Sequence, residues 1–159
     1  MKLALYQPDI PQNLGSALRL AACMQVGLEV IEPCGFILDD KRIRRAGMDY
    51  IDYAALTRHN SWQEFLRWRN ALTPPPRIVL LTTKGSESLP EFTFRSDDIL
   101  LAGRESAGVP DEVAASADAR VRIPMQPEAR SLNVVVSLAM VLSLGLQQTA
   151  GFCKNEKHF

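Results

Sequence analysis

The chain has 159 residues, 47% of them hydrophobic and 23% charged, the balance of a globular domain with enough length to bury a core rather than of a disordered segment. Lysine plus arginine and aspartate plus glutamate each number 18, so no global basic field draws in nucleic acid or a membrane surface, and a polyanion must meet a local patch. Cys23, Cys34 and Cys153 are odd in number and form no Cys-x-x-Cys pair, which predicts free thiols in a reducing compartment; with only His59 and His158 beside them, no metal site is expected.

The N-terminal MKLALYQPDI lacks the apolar core of a signal peptide. The longest nearly continuous apolar run, residues 134 to 146, is shorter than the roughly 20 residues needed to span a bilayer. The expectation is a cytoplasmic protein with no membrane partner.

In chain order, Lys2 to Tyr6 has the length and composition of a strand, and Asn13 to Met24 carries Leu14, Leu18, Ala21 and Ala22 at helical spacing. Asn13 is a candidate cap of that helix, with Arg19 on its second turn. Leu28 to Ile31 is a strand stopped by Pro33 and Gly35. DDKRIRRAG, residues 39 to 47, opens on aspartates and closes on glycine, which predicts a short basic helix. Tyr50 to Leu56 is assigned as a short strand. Ser61 caps a helix carrying Trp62, Phe65, Leu66 and Arg69, with Glu64 in capping-box position. Pro74 to Pro76 break the chain before a strand at Arg77 to Thr82. Ile99 to Ala102 and Arg120 to Ile123 are strands, Asp111 to Ala115 a short helix between them, and Ser131 starts a long helix reaching about Gln147.

Strands alternating with helices predict an α/β fold, a mostly parallel sheet with helices on both faces. No repeat or linker divides the chain, so residues 1 to 151 form a single domain and residues 152 to 159 a polar, frayed tail. The last helix is apolar almost all round, which predicts burial on more than one side, in a core or a dimer interface.

Ligands of such sheets bind beyond the carboxyl ends of the strands, and three segments fall there. The first is PQNLGSALR, residues 11 to 19. The second, LLAGRESAGVPDEV at 100 to 113, has Gly-x-Glu-x-x-Gly spacing, which is neither a dinucleotide fingerprint nor a P-loop. A glutamate in the turn repels phosphate, and Ser106 is not in a Gly-x-Ser-x-Gly elbow, so the turn suits an uncharged or cationic ligand held by backbone groups, or is a plain tight turn. The third is IPMQPEARSLNVVVSLAM at 123 to 140, where prolines stiffen a loop and Arg130, Ser131 and Asn133 bunch at the mouth of an apolar helix. A cap explains Ser131 and leaves Asn133, a mediocre helix former, unexplained.

Taken together, Asn13 and Arg19, then Gly103-x-Glu105-x-x-Gly108-Val-Pro110, then Ile123-Pro124-Met125 with Ser131-Leu132-Asn133 resemble the three signature motifs of the SPOUT class of RNA ribose 2′-O-methyltransferases. EPCGFILDDKRIRRAGMDY and LTTKG extend the likeness to the small, single-domain branch that methylates the wobble nucleotide of tRNA. The resemblance implies a C-terminal trefoil knot, which general chain-threading rules would not suggest, and S-adenosylmethionine (AdoMet) as cofactor. It implies cofactor contacts at Leu81, Gly103, Ile123 and Ser131, with Met125 and Leu132 beside them, and a catalytic set of Asn13, Arg19, Glu105, Ser131 and Asn133. In this reading Arg19 stabilises the developing alkoxide and grips the adjoining phosphate rather than acting as a base, since a guanidinium is not deprotonated in proteins.

The resemblance also implies a homodimer with the tRNA anticodon region as partner. Local positive charge for RNA comes from Lys41, Arg42, Arg44 and Arg45, supported by Arg58, His59 and Lys84. Arg67-Trp68-Arg69 either stacks on a base or packs Trp68 on the core. The competing expectations are a ribose methyltransferase for another RNA such as rRNA, and a non-catalytic RNA-binding module that keeps the fold. A dinucleotide-binding oxidoreductase lacks the glycine fingerprint after the first strand.

Overall fold

The computed structural model describes residues 1–39, 55–85 and 87–153. Seven strands form one sheet, β1 (Lys2–Tyr6), β2 (Gly27–Ile31), β3 (Leu56–His59), β4 (Ile78–Leu81), β5 (Glu87–Ser88), β6 (Ile99–Ala102) and β7 (Ala119–Arg122), in the order β3-β2-β1-β6-β4-β7-β5. Every strand pair is parallel. The central strands read as continuous apolar runs because both faces are covered, and Leu3, Ala4, Leu5, Ile99, Leu100 and Leu101 are all but sealed from solvent.

Side-chain alternation sorts these runs into two cores. Leu3, Leu5, Leu28, Val30, Val79 and Leu100 pack under α1 (Pro11–Cys23) and α4 (Val134–Gln148). Ala4, Tyr6, Ile31, Ile78, Leu80 and Leu101 pack under α2 (Trp62–Ala71) and α3 (Asp111–Ser116). The expected α/β architecture with helices on both faces is therefore present.

Several boundaries differ from the sequence expectation. The helix expected from Asn13 begins at Pro11, with Ile10 in the cap position, because a proline at the first helical position has no N–H to satisfy. Asn13 is therefore inside α1, and Arg19 lies on its third turn. The last helix begins at Val134 rather than Ser131; Asn133 is its cap, its Oδ1 accepting from the backbone N–H groups of Val135 and Val136. That role explains the residue that looked out of place inside a helix. Ser61 does cap α2, while Glu64 reaches one residue further back than a capping box requires, to the N–H and amide of Asn60.

The third strand lies at Leu56–His59, C-terminal to the expected 50 to 56, and the two-residue β5 was not anticipated. Most of the basic segment at 39 to 47, together with the first part of that expected strand, falls outside the described residues.

From β1 the chain steps outward to β2 and β3, then crosses back so that β6 inserts between β1 and β4. The loops after β1, β4, β6 and β7 therefore gather at one end of the sheet, around a reversal of strand order where α/β proteins bind ligands.

Candidate active site

A cavity of about 480 Å³ opens at this end, within the range of roughly 300–1,000 Å³ usual for small-molecule sites. Leu80 and Leu81 of β4, Ala102 of β6, and Val121 with Ile123 give it an apolar floor. Asn13, residues 103 to 105, Arg130, Ser131 and Asn133 supply polar groups. All three segments singled out in the sequence contribute to this one cavity.

The turn after β6 is closed by a pair of backbone hydrogen bonds between Arg104 and Gly108, each 2.9 Å. Gly108 has φ +66, the left-handed region that disfavours a side chain. A Cβ on Gly103 would lie 2.5 Å from the Gly108 carbonyl carbon. The two glycines thus serve different ends, one conformational and one steric.

Inside the turn, Glu105 accepts from the Asp9 N–H through Oε2 at 2.7 Å and from the Asn13 amide through Oε1 at 2.9 Å. Asn13 Oδ1 accepts from Asn133 Nδ2 at 3.0 Å. Each amide orientation follows from its neighbour. Because Asn133 Oδ1 is committed to the start of α4, its Nδ2 must face Asn13; Asn13 must then present oxygen to Asn133 and nitrogen to Glu105. A relay of fixed polarity so joins α4, α1 and the glycine turn. Each amide keeps one N–H beyond the relay, so the arrangement can donate to an oxygen at the cavity mouth.

Asp9 anchors the other side of the turn by accepting from the Ser106 N–H at 3.2 Å and from the Ser106 hydroxyl. The hydroxyl contact, with help from the nearby Arg104 charge, holds the Asp9 carboxyl below its usual range. Burial, reinforced by the Glu32 charge, pushes the Cys34 thiol up to about 11, which leaves it a poor nucleophile. Cys23, Cys34 and Cys153 are all free thiols. Among the described residues no cluster of three or more His, Cys, Asp or Glu side chains is placed to hold a metal ion.

The structure brings together Leu81, Gly103, Ile123, Met125, Ser131 and Leu132, the whole expected cofactor set, with Asn13, Glu105 and Asn133. It does not bring Arg19 into the cavity wall. Arg19 is exposed on α1, about 120° round the helix from Asn13 at 100° per residue. Lys41, Arg42, Arg44 and Arg45 lie outside the described residues.

Two expected supports of the basic patch are otherwise engaged. His59 is buried, its Nε2 2.8 Å from the buried Glu29 carboxylate that also binds Lys2. Arg58 pairs with Glu32 at 2.8 Å, while Lys84 is exposed. Trp68 packs against His59 and Phe65 under the Lys2 ammonium, and Arg69 is tied to the Pro76 carbonyl and Asp118, so two of the three residues are used within the fold, while Arg67 is exposed.

Asp9 and Arg104 were missed. Nothing local marks Asp9, which meets Ser106 across 97 positions, and Arg104 occupies an unassigned place between two motif residues.

The arrangement has clear relatives. Residues 1–143 match the SpoU rRNA Methylase family, and the chain belongs to that family. It is 57% identical over 152 residues to a tRNA (cytidine(34)-2'-O)-methyltransferase of Beijerinckia indica subsp. indica, covering 96% of this chain and 94% of the relative. A protein of the same name from Escherichia coli (strain K12) is 40% identical over 144 residues, 89% of each chain.

A solved structure described as "Structural insights into the 2-OH methylation of C/U34 on tRNA" superposes with a TM-score of 0.85 at 39% identity, covering 94% of this chain and 96% of that one. The SpoU methyltransferase AviRb from Streptomyces viridochromogenes, solved in complex with AdoMet, gives 0.82 at 27% identity and covers 93% of this chain and 60% of that one.

Proposed function

We propose that this protein transfers the methyl group of AdoMet to the ribose 2′-hydroxyl of the wobble nucleotide, cytidine or modified uridine, in the tRNA anticodon. The observation that carries the reading is the single cavity in which all six expected cofactor residues meet the Glu105–Asn13–Asn133 relay. The cavity suits AdoMet chemically: Leu80, Leu81, Val121 and Ile123 give an adenine apolar walls, and the turn offers backbone groups rather than a phosphate cradle. When bound, the cofactor supplies a methyl group on a sulfonium, open to in-line attack.

The protein's own task is to present the hydroxyl in line and stabilise the charge that develops on its oxygen. Glu105 uses both oxygens on Asp9 and Asn13, so its role is to organise the site. The amide N–H groups of Asn13 and Asn133 orient the sugar, and Ser131 shapes the loop beside it. Arg19 supplies positive charge to the alkoxide and the adjoining phosphate.

Arg19 stands outside its own cavity wall, which fits a site completed by a second copy. We infer a homodimer built on α1 and α4. These helices pack side by side on one face of the sheet, and Val136 and Met140 of α4, with Leu132 in the loop just before it, are 40–49% exposed. Unpartnered apolar surface of this kind marks an interaction site. The same reading includes one domain over residues 1–151, a cytoplasmic location and a C-terminal trefoil knot.

The test is incubation with AdoMet and tRNA from a strain lacking the activity, then digestion and mass spectrometry of the nucleosides. Methylated cytidine or uridine from the anticodon is the expected result. The matched family is described by rRNA, so rRNA is the second substrate to assay; methylation there alone would move the substrate and keep the reaction. Failure to bind AdoMet would reject the reading.

A further inference from the structure

Arg104 stands out among the side chains of the cavity wall. Its Nε is the only side-chain nitrogen or oxygen among the described residues that is buried without a hydrogen-bond partner. Among the described residues the guanidinium makes a single hydrogen bond, from Nη2 to the neutral Oε1 of Gln7, and no ion pair. Glu105 next to it is occupied by Asp9 and Asn13, and the Asp9 carboxylate, whose Oδ2 takes both Ser106 contacts, lies close enough to feel the Arg104 charge without pairing with it. Arg104 therefore brings a full positive charge to the wall of a ligand cavity with no anion bound to it, although its planar fork of donors is suited to pairs of oxygens.

Its holder is also unusual. Gln7 has φ 46, a left-handed conformation for a residue with a side chain, so the turn that presents the acceptor is held in a disfavoured geometry. The backbone of Arg104 is fixed by its bridge to Gly108, which anchors the root of the side chain while the head rests on one neutral contact.

We propose that Arg104 is an anion-binding residue of this site, leaving Gln7 to take an anionic oxygen of a ligand in the cavity mouth. The inference rests on the function proposed above, which brings two such oxygens to the cavity, the carboxylate of AdoMet and a backbone phosphate of the RNA. Both present the paired oxygens that a guanidinium fork matches.

The test uses the full chain carrying R104Q, R104K or Q7G. AdoMet affinity is measured by calorimetry without RNA, and tRNA affinity is measured as a function of salt. If the carboxylate is the partner, R104Q weakens AdoMet binding on the order of tenfold and R104K recovers part of it. If the phosphate is the partner, AdoMet binding is unchanged, tRNA binding weakens, and the salt slope falls by about one. Q7G removes the resting contact at a position glycine tolerates, so it retains ligand affinity.

Two results overturn the proposal. One is R104Q binding both ligands as the parent does. The other is Q7G reproducing the losses of R104Q, which would make the pair a structural strut. The parent protein reports separately on the cavity: a parent that binds AdoMet, with R104Q leaving both AdoMet and tRNA binding at the parental values, rejects Arg104 alone, whereas a parent that binds neither ligand rejects both readings.

Discussion

Asn133 does two jobs with one amide, and the two can be separated. Its oxygen caps α4 and its nitrogen sets the polarity of the relay through Asn13. N133A removes both and is expected to lower stability by about 1 kcal/mol, the usual cost of a lost cap. N133D keeps the capping oxygen and places a second acceptor against Asn13 Oδ1. We expect a melting temperature near the parent's with a loss in kcat on the order of a hundredfold, as a misplaced reacting group produces; equal activity of N133D and parent would reject the relay as a catalytic support. R19A should lose most activity while AdoMet affinity by calorimetry stays at the parental value. Turnover at the parental rate would remove Arg19 from the mechanism.

Asp9 gives a residue-scale prediction in pH. Its folded carboxyl titrates below its unfolded value because of Ser106, so its contribution to stability is present above the ordinary carboxylate pKa of about 3.9 and is lost as pH falls from there through the lower folded value. S106A should therefore be less stable than the parent at pH 7, and the difference should narrow as pH falls below about 4. Denaturant midpoints for the two proteins across that range would show it. A difference that widened toward acid would contradict the assignment.

Among the elements, α4 carries the clearest conflict between composition and environment. Leu138, Val141, Leu142 and Leu146 turn inward and are buried, while Val136 and Met140 are 49% and 45% exposed on the other side. A helix apolar all round needs a second cover. M140K is expected to cost the fold little, because the side chain is already exposed, and to shift the homodimer proposed above to monomer in sedimentation velocity. An unchanged dimer would place the interface elsewhere. On the opposite face, α2 packs over the buried Glu29–His59 pair, which the part-exposed Lys2 ammonium joins from the edge, and Phe65 and Trp68 pack on the His59 ring. His59 serves that network, which explains why it is withdrawn from the surface although its neighbour Arg58 is exposed.

For the whole molecule, a balance of 18 cations and 18 anions means that RNA affinity must come from a local patch, for which Lys41, Arg42, Arg44 and Arg45 are the candidates. If all four meet phosphates, the logarithm of the tRNA association constant should fall with the logarithm of salt at a slope of roughly −3 from this patch alone. Replacing the four should remove that part of the slope. A flat salt response of the parent would reject the patch.

The alternation of strands and helices and the apolar runs of the central strands could be read from the sequence, because periodicity and turn residues record locally which side chains are buried and where the chain reverses. The motif residues at 81, 103, 123, 125, 131 and 132 were legible through the family resemblance, and they line one cavity. The tertiary structure alone decided what those residues touch. Asn13 meets Glu105 across 92 positions and Asn133 across 120, contacts set by the strand order and not by any local pattern. The same holds for the withdrawal of His59 into the core, the position of Arg19 outside the wall, and the charge of Arg104, which has no ion-pair partner among the described residues. Each depends on which polar group a distant segment presents, since a buried hydrogen bond is satisfied by geometry in space rather than by neighbours in the chain.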